Sequence, residues 1–294
     1  MHKISSSSFV PEYNWQFWRH GARTEMELAM KKNLIIYFPA MLAVLAVKIF
    51  YRTADSEALS WILAPTTWWV GILSGISFEK IAHVGYVSHE YRFIIAPSCS
   101  GVRFLLVTFV MMIFSFTHQM DSWKKKVYWF GFSVLFSYVS TIFVNGIRIA
   151  VSIHLPAALG NDVLPGWLTA ERLHTVIGTV IYFSMLFGIY YLVRGICNRF
   201  AKQTDAEGKS TEKRFVTPVF WYFVMVLGIP FVGRLCRNDW NGFWQYALLV
   251  TGVCALVVLM FCLLGGAARM VGGTGAALAN ARKNESLLLR RQQK

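Results

Sequence analysis

The sequence predicts an all-α polytopic membrane protein with about six transmembrane helices, an interfacial helix and a short extracytoplasmic β-hairpin. Three observations carry this. Of 294 residues, 55% are hydrophobic and only 15% charged, which is too apolar for an ordinary soluble domain. The apolar residues gather in runs close to the ~20 that take a helix across a ~30 Å hydrocarbon core. The basic residues, finally, cluster between those runs rather than on one face.

The runs lie at about 33–51, 100–117, 127–145, 174–193, 216–233 and 244–264. A further apolar stretch, 58–76, is broken by Pro65 and Gly71 and carries Trp61, Trp68 and Trp69, which suits an interfacial or re-entrant helix. Lys and Arg resist translocation and collect on the cytoplasmic side. If 58–76 does not cross, most of the 29 Lys and Arg residues fall on one side, including Lys124 to Lys126, the 194–214 cluster and the basic C-terminal tail. Both termini are then cytoplasmic, and the loop 77–97 faces outward. In that loop apolar and polar residues loosely alternate through Ile81 to Val87 and again through Tyr91 to Ile95, with Ser88-His89-Glu90 between, as in a hairpin.

The chain divides into a polar cytoplasmic segment 1–32, a transmembrane core 33–195, a cytoplasmic linker 196–215, a helix pair 216–264 and a basic cytoplasmic tail 265–294. Residues 1–32 lack the apolar stretch and cleavage site of a signal peptide, so the first span is expected to be its own insertion signal. The net charge of +14 is explained by topology, and no basic face alternates with stacking aromatics, so nucleic acid is not an expected partner. The five cysteines show neither CxxC spacing nor the framework of a small secreted scaffold. His83, His89 and His154 form no local ligand pair with each other or with His174, so neither a metal nor another cofactor is expected.

Three polar residues stand out at the outer ends of three helices. Cys99, in Ala-Pro-Ser-Cys-Ser-Gly, precedes the span that starts near Ser100, where the positive end of a helix dipole favours a thiolate; the plainer reading is a buried small hydrophobe. Arg148 lies in an apolar stretch with Asn145 three residues before it on the same face. An intramembrane charge is seldom kept without a partner or a task, though an arginine near headgroup depth can snorkel. His174 opens the next span, with Glu171 three residues earlier able to orient it; it is the one side chain that ordinarily moves protons near neutral pH, or else a simple interfacial residue. Together they supply what acyl transfer needs: a nucleophile, a cation for the oxyanion and a proton carrier.

Cys99-Ser100-Gly101, then Asn145-x-x-Arg148, then His174-x-x-x-Gly178, in that order on this topology, resemble the exosortase/archaeosortase family over about residues 35–195. The resemblance implies a cysteine transpeptidase of the cell inner membrane. Its partners would be membrane-anchored substrate proteins with a C-terminal sorting signal, namely a short motif, a spanning helix and a basic tail. It implies Cys99 as nucleophile, Arg148 as transition-state stabiliser and His174 as proton-transfer residue, with Asn145, Arg103, Ser100, Gly101 and Glu171 in support. The front region is shorter than in the larger members, which resembles compact subtypes such as exosortase K. The last two helices match nothing in the family pattern. Two other readings use the same sequence: a non-enzymatic transporter or assembly factor in which Arg148 and Glu171 line a polar path, and an intramembrane cysteine protease that only hydrolyses.

Overall fold

The computed structural model describes residues 15–120, 122–159, 169–200, 211–235, 238 and 240–263, and the side chains among them from 33 on, apart from 156–159, 170–171, 198–200 and 211–216. The expected N-terminal segment up to 14, the centre of the linker at 201–210 and the basic tail from 265 lie outside the described residues.

The chain runs through α1 (Trp15–Thr53), α2 (Ser60–Ser74), three short strands, α3 (Val102–Phe116), α4 (Trp123–Leu159), α5 (Ala170–Phe200), α6 (Thr211–Phe223), a π turn (Val224–Gly228) that leads into α7 (Ile229–Leu235), and α8 (Phe243–Leu263). Among the described residues six helices are long and apolar enough to cross a membrane: Asn33–Thr53, Pro97–Gln119, Trp123–Leu155, Arg172–Cys197, Thr217–Leu235 and Phe243–Leu263. The fold is therefore the all-α polytopic membrane protein that the apolar runs imply. The largest difference is at the third span. Its helix continues past Asn145 to Leu159, so Arg148 sits within the body of α4 rather than at its end.

Helix α2, 15 residues long, is about 22 Å, short of the hydrocarbon thickness. Pro65 lies inside it. A helical proline donates no hydrogen bond to the carbonyl four residues back, here Trp61, and the Tyr138 hydroxyl donates to that oxygen at 2.7 Å instead. The Trp61 and Tyr138 rings stack at 5.7 Å. The sequence suggests that the three tryptophans of α2 act alike at the membrane surface, and in the structure they divide. Trp61 and Trp68 are exposed, whereas Trp69 packs edge-on to Phe143, 5.0 Å away. A side chain at Gly146 would collide with the Trp69 ring, so the glycine beside Asn145 is what lets α2 and α4 approach.

The loop 77–97 holds a three-stranded antiparallel sheet, β1 (Glu79–Ile81), β2 (Gly85–Ser88) and β3 (Phe93–Ile95), in that order. The hairpin of the sequence is β2–β3, with Ser88 opposite Phe93. A second tight turn through His83, which has a positive φ of 61°, breaks the first apolar run and adds β1, pairing Ile81 with Gly85. His83 reaches Asp55 at 3.3 Å and Lys80 reaches Glu57 at 2.7 Å, which ties this sheet to the α1–α2 connection. At Gly85, φ is +129° and a Cβ would strike the Ile95 carbonyl, so only glycine allows β2 and β3 to lie this close.

The described contacts group the chain into two compact units, residues 1–53 with 109–136, and residues 54–108 with 137–294. In the first, Lys126 donates to Asn33 at 2.5 Å, Trp129 donates to the Met112 carbonyl at 3.2 Å, and Tyr37 stacks on Phe114. The second holds α2, the sheet, and the residues singled out by their chemistry.

Removing the Tyr138 hydroxyl should expose the weakness that Pro65 creates. Tyr138→Phe is expected to cost about 1 kcal/mol, read as a lower Tm by tryptophan fluorescence in detergent micelles. In a Pro65→Ala background, which restores the helical donor, the same substitution should cost measurably less.

Candidate active site

The sheet delivers the chain to Cys99 through a tight series of backbone constraints. After β3, Pro97 starts a 3-10 turn, Pro97–Cys99, in which the Cys99 N–H donates to Ala96 O at 2.8 Å and the Ser100 N–H to Pro97 O at 3.1 Å. Gly101 then takes a left-handed conformation with φ +75°, which costs an L-residue with a side chain about 1–2 kcal/mol. Its carbonyl accepts from Phe104 and Leu105, so it caps the start of α3. The cysteine is buried at 8% exposure, and its Sγ lies 4.0 Å from the Ser98 hydroxyl.

What holds this turn is Asn145. Fully buried on α4, it donates from Nδ2 to the Cys99 carbonyl at 2.6 Å. Its Oδ1 accepts from the Tyr182 hydroxyl at 2.6 Å and from Arg148 Nη1 at 3.3 Å. Both halves of the amide are thus used, as burial demands. Gly101 makes room for it, because a Cβ there would come within 2.8 to 2.9 Å of the Asn145 side chain.

Arg148 is only 8% exposed, and a buried cation needs partners. Nη1 donates to Asn145 and, at 3.3 Å, to Tyr182 Oη, while Nη2 is hydrogen-bonded to His174 Nε2. The guanidinium also lies over the Tyr182 ring, 5.3 Å from its centroid, a cation–π contact. No carboxylate among the described residues pairs with it. A guanidinium can only donate, so His174 Nε2 accepts and the imidazole proton sits on Nδ1 in this arrangement.

His174 lies in the second turn of α5, followed on the same face by Gly178 and Tyr182 at helical spacing. Tyr182 stacks on Phe104 of α3 at 4.8 Å, which fixes its ring between two helices. It is the member of the cluster that residue-type reasoning misses, since a tyrosine among apolar residues draws no notice. Its signal is positional: residues 174, 178 and 182 share one helix face. Tyr182 is within electrostatic range of both Cys99 and Arg103.

The supporting residues divide. Asn145 and Gly101 are central to the cradle. Ser100 is fully buried, and its hydroxyl has no partner among the described residues. Arg103 is exposed on the first turn of α3; its charge reaches Tyr182 and Tyr246, and among the described residues it makes no hydrogen bond into the cluster. The side chain of Glu171 lies outside the described residues. Arg148 and His174 therefore meet directly, while Cys99 joins them through its carbonyl and Asn145. Among the described residues the thiol makes no hydrogen bond to His174.

Two substitutions test the cradle apart from any chemistry. Asn145→Leu should cost at least about 2 kcal/mol, since the Cys99 carbonyl, Tyr182 hydroxyl and Arg148 all lose a partner. Gly101→Ala should be destabilising for the combined reasons of positive φ and collision with Asn145. A Tm at the native value for either, measured in detergent, would contradict the cradle.

Comparison with known proteins identifies the family. The family model described as transmembrane exosortase (Exosortase_EpsH) matches residues 33–191, which takes in α2, the sheet, Cys99, Asn145, Arg148, His174 and Tyr182. No curated protein and no solved structure matches the chain. Since the family match covers more than half of the sequence and includes all the residues of the hydrogen-bonded cluster, the chain belongs to the transmembrane exosortase family.

Proposed function

We propose that this exosortase-family membrane protein is a cysteine transpeptidase that cleaves the C-terminal sorting signals of exported membrane-anchored proteins and passes the acyl group to an acceptor. The observation that carries it is the continuous buried hydrogen-bond chain from the Cys99 carbonyl through Asn145 and Arg148 to His174, which joins the turn before α3 to α4 and α5. An arginine held in the apolar interior with no carboxylate partner among the described residues suits a site where negative charge develops during reaction.

The chemistry follows from the groups in place. Cys99 Sγ attacks the scissile carbonyl, its proton passes to His174 and the carbonyl oxygen becomes an oxyanion beside Arg148. His174 Nε2 is occupied by the guanidinium at rest, so an oxyanion that draws Arg148 toward itself frees that nitrogen when a proton needs a place. Collapse breaks the C–N bond, the proton goes from His174 to the departing amine, and an acyl thioester remains on Cys99. The acceptor then loses its proton to His174, attacks the thioester, and the thiol leaves. With 58–76 not crossing the bilayer, both termini are cytoplasmic and this site opens on the extracytoplasmic side of the cell inner membrane, where exported substrates pass.

The test is a comparison of membrane proteomes from cells carrying the native chain and Cys99→Ala. Proteins retaining an uncleaved C-terminal helix and basic tail should accumulate only in the variant. Cys99→Ser, Arg148→Ala and His174→Ala should accumulate the same precursors, with conversion slower by at least about 100-fold in each. If no protein changes its C-terminus, the transpeptidase reading is wrong, and a transporter or assembly role takes its place.

A further inference from the structure

Tyr182 meets Arg148 in two ways. Its hydroxyl accepts from Nη1 at 3.3 Å, and its ring faces the guanidinium, whose Cζ lies 5.3 Å from the centroid. The same hydroxyl donates to Asn145 Oδ1 at 2.6 Å, and that oxygen also accepts from Nη1 at 3.3 Å. Tyr182 Oη, Asn145 Oδ1 and Arg148 Nη1 thus form a closed triangle of hydrogen bonds. Two oxygens bonded to each other hold Nη1 from two directions, and the ring holds the cation from a third.

Only a hydroxyl closes this triangle, because it donates and accepts at once. Phenylalanine at 182 would keep the stack on Phe104 and the cation–π face, but Nη1 would be left with Asn145 Oδ1 as its one hydrogen-bonded oxygen and could swing about it. The other amino group of the guanidinium, Nη2, is bonded to His174, which lies two turns before Tyr182 on α5. One helix therefore grips both amino groups of a cation carried by α4. The third corner of the triangle, Asn145, is bonded to the Cys99 carbonyl. The Tyr182 hydroxyl is thus the point at which the seat of the cysteine and the hold on the cation are locked together.

We infer that Tyr182 is a positioning residue of the reaction, whose hydroxyl sets where the Arg148 guanidinium stands relative to Cys99 and His174. It acts through Arg148 and not on the substrate. The inference rests on the transpeptidase reading and deepens it, by adding a fourth side chain that is neither charged nor nucleophilic. A group that must meet developing charge loses its effect when it is displaced by a fraction of its own size, so the ring alone does not replace the hydroxyl.

The experiment presents the precursor that accumulates with Cys99→Ala, once purified, to the full-length native chain, Tyr182→Phe and Cys99→Ala in detergent, and measures kcat, KM and Tm. The expected result for Tyr182→Phe is a kcat lower by about tenfold, the equivalent of one hydrogen bond to a charged group, with KM within about twofold of native and Tm within about 5 °C. A merely structural tyrosine would lower Tm or the amount of folded enzyme and leave kcat per folded molecule at its native value. In an Arg148→Ala background, Tyr182→Phe should lower kcat by less than about twofold, because a residue that acts through Arg148 has nothing left to act on. A further tenfold loss there would make Tyr182 independent of Arg148 and overturn the inference. Native kcat in Tyr182→Phe, where Cys99→Ala is inactive, overturns this inference alone. If Cys99→Ala converts the precursor normally, the transpeptidase reading falls and this inference with it. Should Tyr182→Phe fail to fold, Phe104→Leu decides: it leaves the hydroxyl but removes the ring that holds Tyr182 in place, and a native kcat for that variant overturns the inference.

Discussion

One buried amide organises the candidate active site. Asn145 places a donor on the backbone of the Cys99 turn and an acceptor before both Tyr182 and Arg148, so the start of α3, α4 and α5 are held in register by a side chain with no net charge. In hydrocarbon there is no water to take over these bonds, and the alternatives to this arrangement are all unsatisfied ones. The glycines on either side follow from the same constraint. Gly101 leaves the amide its space, and Gly146 lets Trp69 and α2 close behind it.

The spanning helices were legible because an apolar run of bilayer length, with hardly a charge in it, suits a membrane crossing and little else. Their ends were less so. The run in α4 loses its apolar character near Asn145 and Arg148, and a reading based on hydropathy stops there, but these polar residues are enclosed by Tyr182 and His174, and the helix passes through them to Leu159. The loop 77–97 was similarly underread: its alternation was visible, whereas the turn at His83 that divides it depends on a residue accepting a positive φ, which no pattern of apolar residues encodes.

The cluster itself was partly legible. Cys99, Arg148 and His174 are conspicuous because polar residues at those places are costly, and such residues at similar depth have reason to meet, as Arg148 and His174 do. The bond that joins Cys99 to them through Asn145 is made by its carbonyl. Tyr182 is invisible to a search for costly residues, since tyrosine is at home in a membrane helix. It becomes visible only once the faces of α5 are compared, when His174, Gly178 and Tyr182 fall in one line.

That Asn145 binds a main-chain carbonyl has a consequence for how this protein can change. Every residue type carries the same carbonyl, so the bond that seats position 99 is blind to what side chain is there. Backbone architecture and side-chain chemistry are thereby separately encoded at one position. A chain that loses the sulfur keeps this bond, and its abundance in the membrane says nothing about which side chain stands at position 99.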